Sequence, residues 1–182
     1  MRKYLFALLV LVAAGSTLFV AALAAADSGA NKISAKDGLE GYQETPSLST
    51  IAGGSFEADV ANDGLSFDWT LSYRDLEGPV TQAHIHIAQR GVAGGISIWL
   101  CKTAATAANA PAGTLDCPAS PATISGTADA SDMVALNGQG IALGEFNEAL
   151  AAIRAGKAYA NVHSTKFGPG EIRGQLNDAN ER

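Results

Sequence analysis

The sequence has few of the residues on which metal and nucleophilic chemistry depend. Its 182 residues include only three histidines and two cysteines. It has no G-x-S-x-G segment, no Walker sequence and no correctly spaced dinucleotide fingerprint. Its carboxylates form no pair that can be assigned as general acid and base. A conventional hydrolase or transferase is therefore not expected. Whether the chain is an enzyme stays open, with a non-catalytic role favoured.

Basic residues are also scarce relative to acidic ones. Lysine and arginine number 12 against 18 aspartates and glutamates, for a formal net charge of −6. Binding to nucleic acid or anionic lipid releases counterions through clusters of positive side chains. The charge balance therefore argues against nucleic acid as a partner.

Long apolar runs are absent except at the N-terminus. Three residues with two basic side chains, Met1–Lys3, precede an uncharged apolar run from Leu5 to Ala26 that ends in small residues. This pattern predicts a signal peptide over residues 1–26, cleaved after Ala24 or Ala26. The mature chain would keep 10 basic and 18 acidic side chains, a charge of −8, and would be periplasmic or secreted. An uncleaved N-terminal anchor is the alternative, and only that form would bind a membrane.

The two cysteines, Cys101 and Cys117, follow this segment. In an exported protein such a pair predicts one disulfide. A metal-binding or nucleophilic role is the less favoured reading, because neither cysteine lies in a C-x-x-C or beside a histidine. The enclosed segment lacks periodicity and is expected to be a loop.

Residues 27–182 are predicted to form one domain of short strands in which apolar and polar residues alternate. Alternation is clearest over residues 65–73, and it recurs over residues 82–87, 96–100, 158–164 and 171–176. Weaker edge strands are expected near Ile33 and Ile51. Many short strands separated by turns predict a β-sandwich or barrel with Greek-key connections. The expected core comprises Phe67, Trp69, Leu71, Ile85, Ile87, Ile98, Val162, Ile172 and Leu176.

One segment has a helical period instead. Apolar residues recur at i, i+3, i+4 and i+7 between Glu145 and Ala155, and Gly156 follows at the C-terminal cap position. The spacing predicts one short amphipathic helix that packs against an end of the sandwich.

The three histidines all lie on alternating segments. His84 and His86 are two residues apart, so their side chains point to one face about 6.5–7 Å apart. His163, on a later strand, could supply a third ligand, and three imidazoles suit zinc or copper. The alternative is ordinary hydrogen bonding on a polar sheet face, with His86 paired to Glu171 and His163 bracing the turn before Gly170.

Two blocks of sequence resemble a known family. AHIH (83–86), followed by a glycine-rich turn, and NVHS with GPGEIRGQL (161–176) resemble the CHRD domain. This domain is named for chordin, a secreted antagonist of growth-factor signalling, and also occurs in exported bacterial proteins. The resemblance covers roughly residues 32–177. It implies an immunoglobulin-like β architecture and an extracytoplasmic setting.

A weaker similarity links the histidines to copper–zinc superoxide dismutases. Those enzymes carry an H-x-H on a Greek-key strand, a later histidine and an arginine, which would correspond to His84, His86, His163 and Arg173. The chain lacks a bridging fourth histidine and a structural-zinc cluster. By this similarity Arg173 would bind an anion beside the metal. The alternative is a salt bridge to Glu171 or an aspartate.

Two functions therefore compete. The first is a non-catalytic extracytoplasmic module that binds a protein or the cell surface, with one metal ion possible on His84, His86 and His163. The second is a small copper or zinc metalloprotein with a superoxide-dismutase-like redox or metal-handling role.

Overall fold

A computed structural model describes residues 31–178. The predicted signal peptide, residues 1–26, lies outside the described residues. The described chain is mainly β, as predicted, with ten strands. These are β1 (Lys32–Ser34), β2 (Leu39–Glu40), β3 (Gly53–Val60), β4 (Ser66–Arg74), β5 (Val80–Ile87), β6 (Gly95–Lys102), β7 (Leu115–Asp116), β8 (Ala122–Asp129), β9 (Ala158–Ser164) and β10 (Ile172–Asp178).

One α-helix, α1 (Phe146–Arg154), lies within the described residues where the sequence predicts it. Gly156 follows with a φ of 65°, a left-handed conformation that suits glycine at a helix C-terminus. The apolar face of α1 is buried, and the Phe146 ring lies 5.5 Å from the Phe67 ring. The helix therefore packs on the core as expected. Three 3-10 turns also lie between residues 31 and 178, namely Gly41–Gln43, Ala130–Asp132 and Asn137–Gln139.

The strands are hydrogen-bonded in the order β7-β6-β5-β9-β10-β1-β3-β4-β8, and β2 pairs with both β10 and β3. Antiparallel hairpins join β3 to β4, β5 to β6 and β9 to β10. The two ends of this order approach each other, since Val134 N–H donates to the Ser97 carbonyl at 2.9 Å. The pairing of β5 with β9 brings the two histidine-bearing blocks side by side.

A single apolar core fills the interior. Every residue predicted for the core is buried, and all belong to one packed cluster. In β4, burial alternates with exposure along the strand, so Phe67, Trp69 and Leu71 point inward. The architecture is that of a β-sandwich, which confirms the predicted fold class.

The two predicted edge strands had different outcomes. Ile33 lies in β1 and is buried, as expected. The strand expected near Ile51 is wrong, because Ile51 lies in a bend and is 78% exposed. Cys101 and Cys117 form the predicted disulfide, and the segment between them is mostly loop.

The outward side of β5, β9 and β10 is also buried. All seven residues of β9 are buried, although only alternate ones face the core. Two segments lie over this outward side, residues 41–50 and residues 88–94, and we call them the cover. Hydrogen bonds join the cover to β9 and β10, including Asn161 Nδ2 to Glu44 Oε1 at 2.6 Å and Gln175 Nε2 to the Ala88 carbonyl at 3.0 Å. Polar side chains beneath it are therefore removed from water.

Candidate metal centre

The three histidines meet on this covered side of the sheet. His84 pairs with Asn161 and His86 with Tyr159 across the β5–β9 ladder, which sets all four side chains on one face. His163 lies further along β9, opposite Gln82. One ring nitrogen from each histidine lies within 4.8 Å of the others, so the predicted convergence of the three is confirmed.

The imidazoles are almost fully buried. The exposed fraction of the whole residue is 0% for His84, 4% for His163 and 7% for His86. The His84 ring lies 4.8 Å from the His163 ring and 5.4 Å from the His86 ring, measured between centroids. Among the described residues, no cysteine, aspartate or glutamate joins this group.

Hydrogen bonds to carbonyl oxygens fix the tautomers of two rings. His86 Nδ1 lies 3.0 Å from the Gly94 carbonyl, and His163 Nδ1 lies 2.8 Å from the Gly168 carbonyl. A carbonyl only accepts, so each Nδ1 carries the proton and each Nε2 presents a lone pair. Such a bond at the far nitrogen is how metal-binding histidines are usually oriented.

The His84 ring is hydrogen-bonded to His163 and not to the backbone. His84 Nδ1 lies 3.2 Å from His163 Nε2. Because His163 Nε2 is an acceptor, His84 donates from Nδ1, and its own Nε2 is left without a partner. The Nε2 atoms of His84 and His86 are both buried and unpartnered. Buried polar atoms are normally hydrogen-bonded, so the lone pair on His86 Nε2 is available to an ion that the other two rings can also reach.

The spacing is suitable for a metal ion. Two nitrogens bound at about 2.0–2.1 Å to a tetrahedral ion lie about 3.3 Å apart. His84 Nδ1 and His163 Nε2 already have nearly this separation. If the His84 proton moves from Nδ1 to Nε2, the ring stays neutral and both nitrogens can bind one ion. The residues present therefore fit a transition metal with three imidazole ligands.

Burial keeps the three rings neutral. Desolvation, reinforced by the two neighbouring histidines, lowers the pKa of His84 to about 2. Desolvation lowers the pKa of His86 to about 4 against the opposing hydrogen bond to Gly94, and it lowers the pKa of His163 as well. Protons therefore do not compete with a metal ion at neutral pH.

Aromatic rings hold two of the histidines. The Tyr159 ring stacks on His86 with an interplanar angle of 1° and a centroid distance of 4.8 Å. The Tyr159 hydroxyl accepts the Gly94 N–H at 3.2 Å, and the Gly94 carbonyl accepts from His86. The Trp99 ring meets His84 edge-on at 4.3 Å. These contacts restrict the rotation of both imidazoles.

Arg173 lies behind Tyr159 and is 2% exposed. Its guanidinium makes four hydrogen bonds. The acceptors are Thr45 Oγ1 at 3.2 Å, the Val92 carbonyl at 3.0 Å, the Gln89 carbonyl at 3.2 Å and Gln175 Oε1 at 3.4 Å. The alternative expectation of a salt bridge to Glu171 or an aspartate is wrong, because no acidic side chain of the described residues is within ion-pair distance. Arg173 joins both segments of the cover to the sheet.

Glu171 is also not where the alternative expectation placed it. Its Oε1 accepts from Thr50 Oγ1 at 3.1 Å and from the Glu77 N–H at 2.7 Å. The expected pair between His86 and Glu171 is therefore wrong, since His86 donates to Gly94 instead. The expectation that His163 braces the turn before Gly170 is confirmed by its bond to Gly168.

Nothing in the sequence indicates that Glu44 is a half-buried carboxyl on the same side of the sheet as the histidines, where it accepts a hydrogen bond from Asn161. Burial raises the pKa of this carboxyl to about 7, against the lowering effects of the Asn161 hydrogen bond and the charge of Arg173. Glu44 lies in a part of the chain without periodicity, so no sequence pattern pointed to it.

Fold and cluster together define a small β-sandwich protein with three buried histidines on one covered sheet face. A family model for the CHRD domain matches residues 37–176, and the chain belongs to that family. Comparison with curated proteins and comparison with solved structures each gave no match. No helix of residues 31–178 has the length and apolar character needed to span a membrane. The disulfide is typical of proteins in oxidising compartments outside the cytoplasm.

Proposed function

We propose that this CHRD-domain protein is an exported, non-catalytic binding module that carries one transition-metal ion, copper or zinc, on His84, His86 and His163. The observation that carries the proposal is the convergence of three neutral, buried imidazoles, with one ring nitrogen of each within 4.8 Å of the others and with His86 Nε2 unpartnered. Leaving a buried nitrogen unpaired is costly, and a bound ion removes that cost at His86. The signal-like N-terminus and the disulfide support a location in the periplasm or outside the cell.

The metal has a structural role in this proposal. It joins β5 to β9 beneath the cover, so it stabilises the folded domain by binding the native state alone. The domain would then act through its surface on an extracytoplasmic protein or a cell-surface partner. The family supports a binding role.

The test is calorimetric titration of the purified protein with Cu(II), Zn(II) and, without oxygen, Cu(I). One-to-one binding in the wild type that is lost in His86→Ala supports the site. Gln175→Ala is the matched control, because it removes a buried polar side chain from the same sheet face without removing a ring nitrogen. Absence of binding by the wild type, or equal weak binding by the wild type and His86→Ala, contradicts the proposal.

The second candidate is a small copper metalloprotein with superoxide-dismutase-like or metal-handling activity. The histidine set favours it, since H-x-H and a later histidine meet at one point. Arg173 would then act on an anion, although four hydrogen bonds already hold its guanidinium. Superoxide consumption by the copper-loaded wild type, compared with copper-loaded His86→Ala, tests this candidate. Equal rates contradict it.

A further inference from the structure

The charge and burial of the histidine cluster bear on which ion it holds. This inference rests on the metal site proposed above. We infer that the site selects monovalent copper, Cu(I), over the divalent ions Cu(II) and Zn(II).

The ligand set supplies no negative charge. Three neutral imidazoles bind the ion, and no carboxylate or thiolate of the described residues joins them. Transfer of an ion from water to a protein interior is costly, and the electrostatic part of this cost rises with the square of the charge. A divalent ion therefore loses far more hydration free energy here than a monovalent one, and nothing in the group compensates for it.

A nearby positive charge adds to the difference. The Arg173 guanidinium carbon lies 3.4 Å above the centre of the Tyr159 ring, and the Tyr159 ring stacks on the His86 ring. The cation is thus one aromatic ring away from a ligand. In a poorly screened interior its repulsion of a second cation doubles when that cation carries two charges.

The carboxyl that faces Arg173 offsets this repulsion only in part. Glu44 interacts with the guanidinium and hydrogen-bonds Asn161. Since burial raises its pKa to about 7, the carboxyl is incompletely ionised at neutral pH. The net local charge around the cluster therefore stays positive, which favours the ion of lower charge.

The number of ligands that the site provides also favours Cu(I). Cu(I) has a filled d shell and is stable with three nitrogen ligands, whereas zinc is almost always four-coordinate and Cu(II) favours tetragonal sites. The described residues add no fourth histidine, cysteine or carboxylate. With exposures of 0% for His84, 4% for His163 and 7% for His86, the site offers little access to a water molecule as fourth ligand. Three-coordination is what the site provides.

The experiment measures three dissociation constants on the full purified protein at pH 7. Cu(I) is measured without oxygen, with ascorbate as reductant and a chromophoric Cu(I) chelator as competitor. Cu(II) and Zn(II) are measured against chelators of known affinity. We expect the Cu(I) constant to be lower than either divalent constant by a factor of roughly a thousand. A Zn(II) or Cu(II) constant equal to or below that of Cu(I) overturns the inference and leaves the metal site in place. Absence of binding by all three ions overturns the site itself.

Two variants test the electrostatic cause, because they should change the preference for Cu(I) over Zn(II) in opposite directions. Arg173→Gln removes the cation and should reduce the preference for Cu(I) over Zn(II) by about tenfold. Glu44→Gln removes the partial negative charge and should increase that preference. An unchanged ratio in both variants contradicts the electrostatic argument. If Arg173→Gln does not fold, Glu44→Gln decides the question alone, because it keeps a side chain of similar size that can still accept from Asn161.

Discussion

The guanidinium carbon of Arg173 lies 3.4 Å from the centre of the Tyr159 ring, and the opposite contact of that ring is His86. A buried cation, an aromatic ring and a candidate ligand therefore form one stack. A cation over an aromatic ring is attracted by the ring quadrupole, more strongly when water is excluded. The contact with Arg173 therefore restricts the Tyr159 ring, and through it the His86 ring. The hydrogen bonds of Arg173 fix both segments of the cover to the sheet.

This stack predicts that Arg173→Lys destabilises the protein by about 2–4 kcal/mol. Lysine keeps the charge, but it cannot make four hydrogen bonds in the planar arrangement that the guanidinium provides. Urea unfolding followed by tryptophan fluorescence gives the free energy. The matched control is Arg90→Lys, at an exposed arginine paired with Asp37, for which a change below about 0.5 kcal/mol is expected. Equal effects of the two substitutions would show that Arg173 does not brace the cover.

Stability of the metal-free protein should fall as the pH is lowered from about 7 to about 5. The pKa values of His84, His86 and His163 are all lowered in the folded state, so below about pH 6.5 the unfolded chain binds up to three more protons. Their contribution is complete above the unfolded pKa and is lost as the pH falls toward the folded values. Glu44 acts in the opposite direction, because its folded pKa is raised and the native state holds one more proton.

The net difference is about two protons, or roughly 2–3 kcal/mol per pH unit between about pH 6 and pH 5. Urea titrations at half-unit pH intervals, in the presence of a chelator, measure this slope. Glu44→Gln removes the opposing proton and should steepen the dependence by about 1.4 kcal/mol per pH unit. A flat stability profile in the wild type would mean that the histidines are charged or exposed in the native state.

The sequence predicts most of the strands because burial on one side produces alternation. In β4, Phe67, Trp69 and Leu71 alternate with exposed residues, so the inner face can be identified from the pattern alone. The helix is equally predictable from its apolar period. Around Ile51 no such pattern exists, and the residue lies in a bend with its side chain exposed instead of in a strand.

The three histidines of the candidate site could be predicted in the same way. The H-x-H spacing fixes His84 and His86 on one face, and alternation in β9 gives the face of His163. The partners of these residues could not be predicted, because several are backbone carbonyls. Gly94 and Gly168 accept from two histidines, and Val92 accepts from Arg173. A carbonyl acceptor has no side-chain signature in a sequence, so an ion pair with Glu171 was the natural but incorrect expectation for the arginine.

Trp69→Ala should destabilise the domain by about 3–5 kcal/mol. The indole is 4% exposed and belongs to the central cluster, so its removal leaves a large cavity between the two halves of the sheet. Chemical denaturation gives the free energy of unfolding. Thr70→Ala, one residue along β4 on the exposed side, is the control and should change it by less than about 1 kcal/mol. A loss below about 1 kcal/mol for Trp69→Ala would contradict the assigned strand faces.

Gly94 gives the sharpest test of how the histidines are positioned. A Cβ atom at this position would lie 2.0 Å from the Ile87 carbonyl oxygen, a contact that only a backbone shift can relieve. That shift moves the two Gly94 groups on which the site depends, the carbonyl that accepts from His86 and the N–H that donates to Tyr159.

We therefore expect Gly94→Ala to weaken metal binding by about 10–100-fold, the usual effect of losing a hydrogen bond that orients a metal-binding histidine. The control is Gly138→Ala in the turn Asn137–Gln139, where a Cβ meets nothing within 4 Å and binding should be unchanged. Competition titration with the same ion gives both affinities, and circular dichroism checks that each variant is folded. A folded Gly94→Ala protein with wild-type affinity would show that the Gly94 carbonyl does not orient His86, and the ring would then have to be held by its stacking on Tyr159 alone.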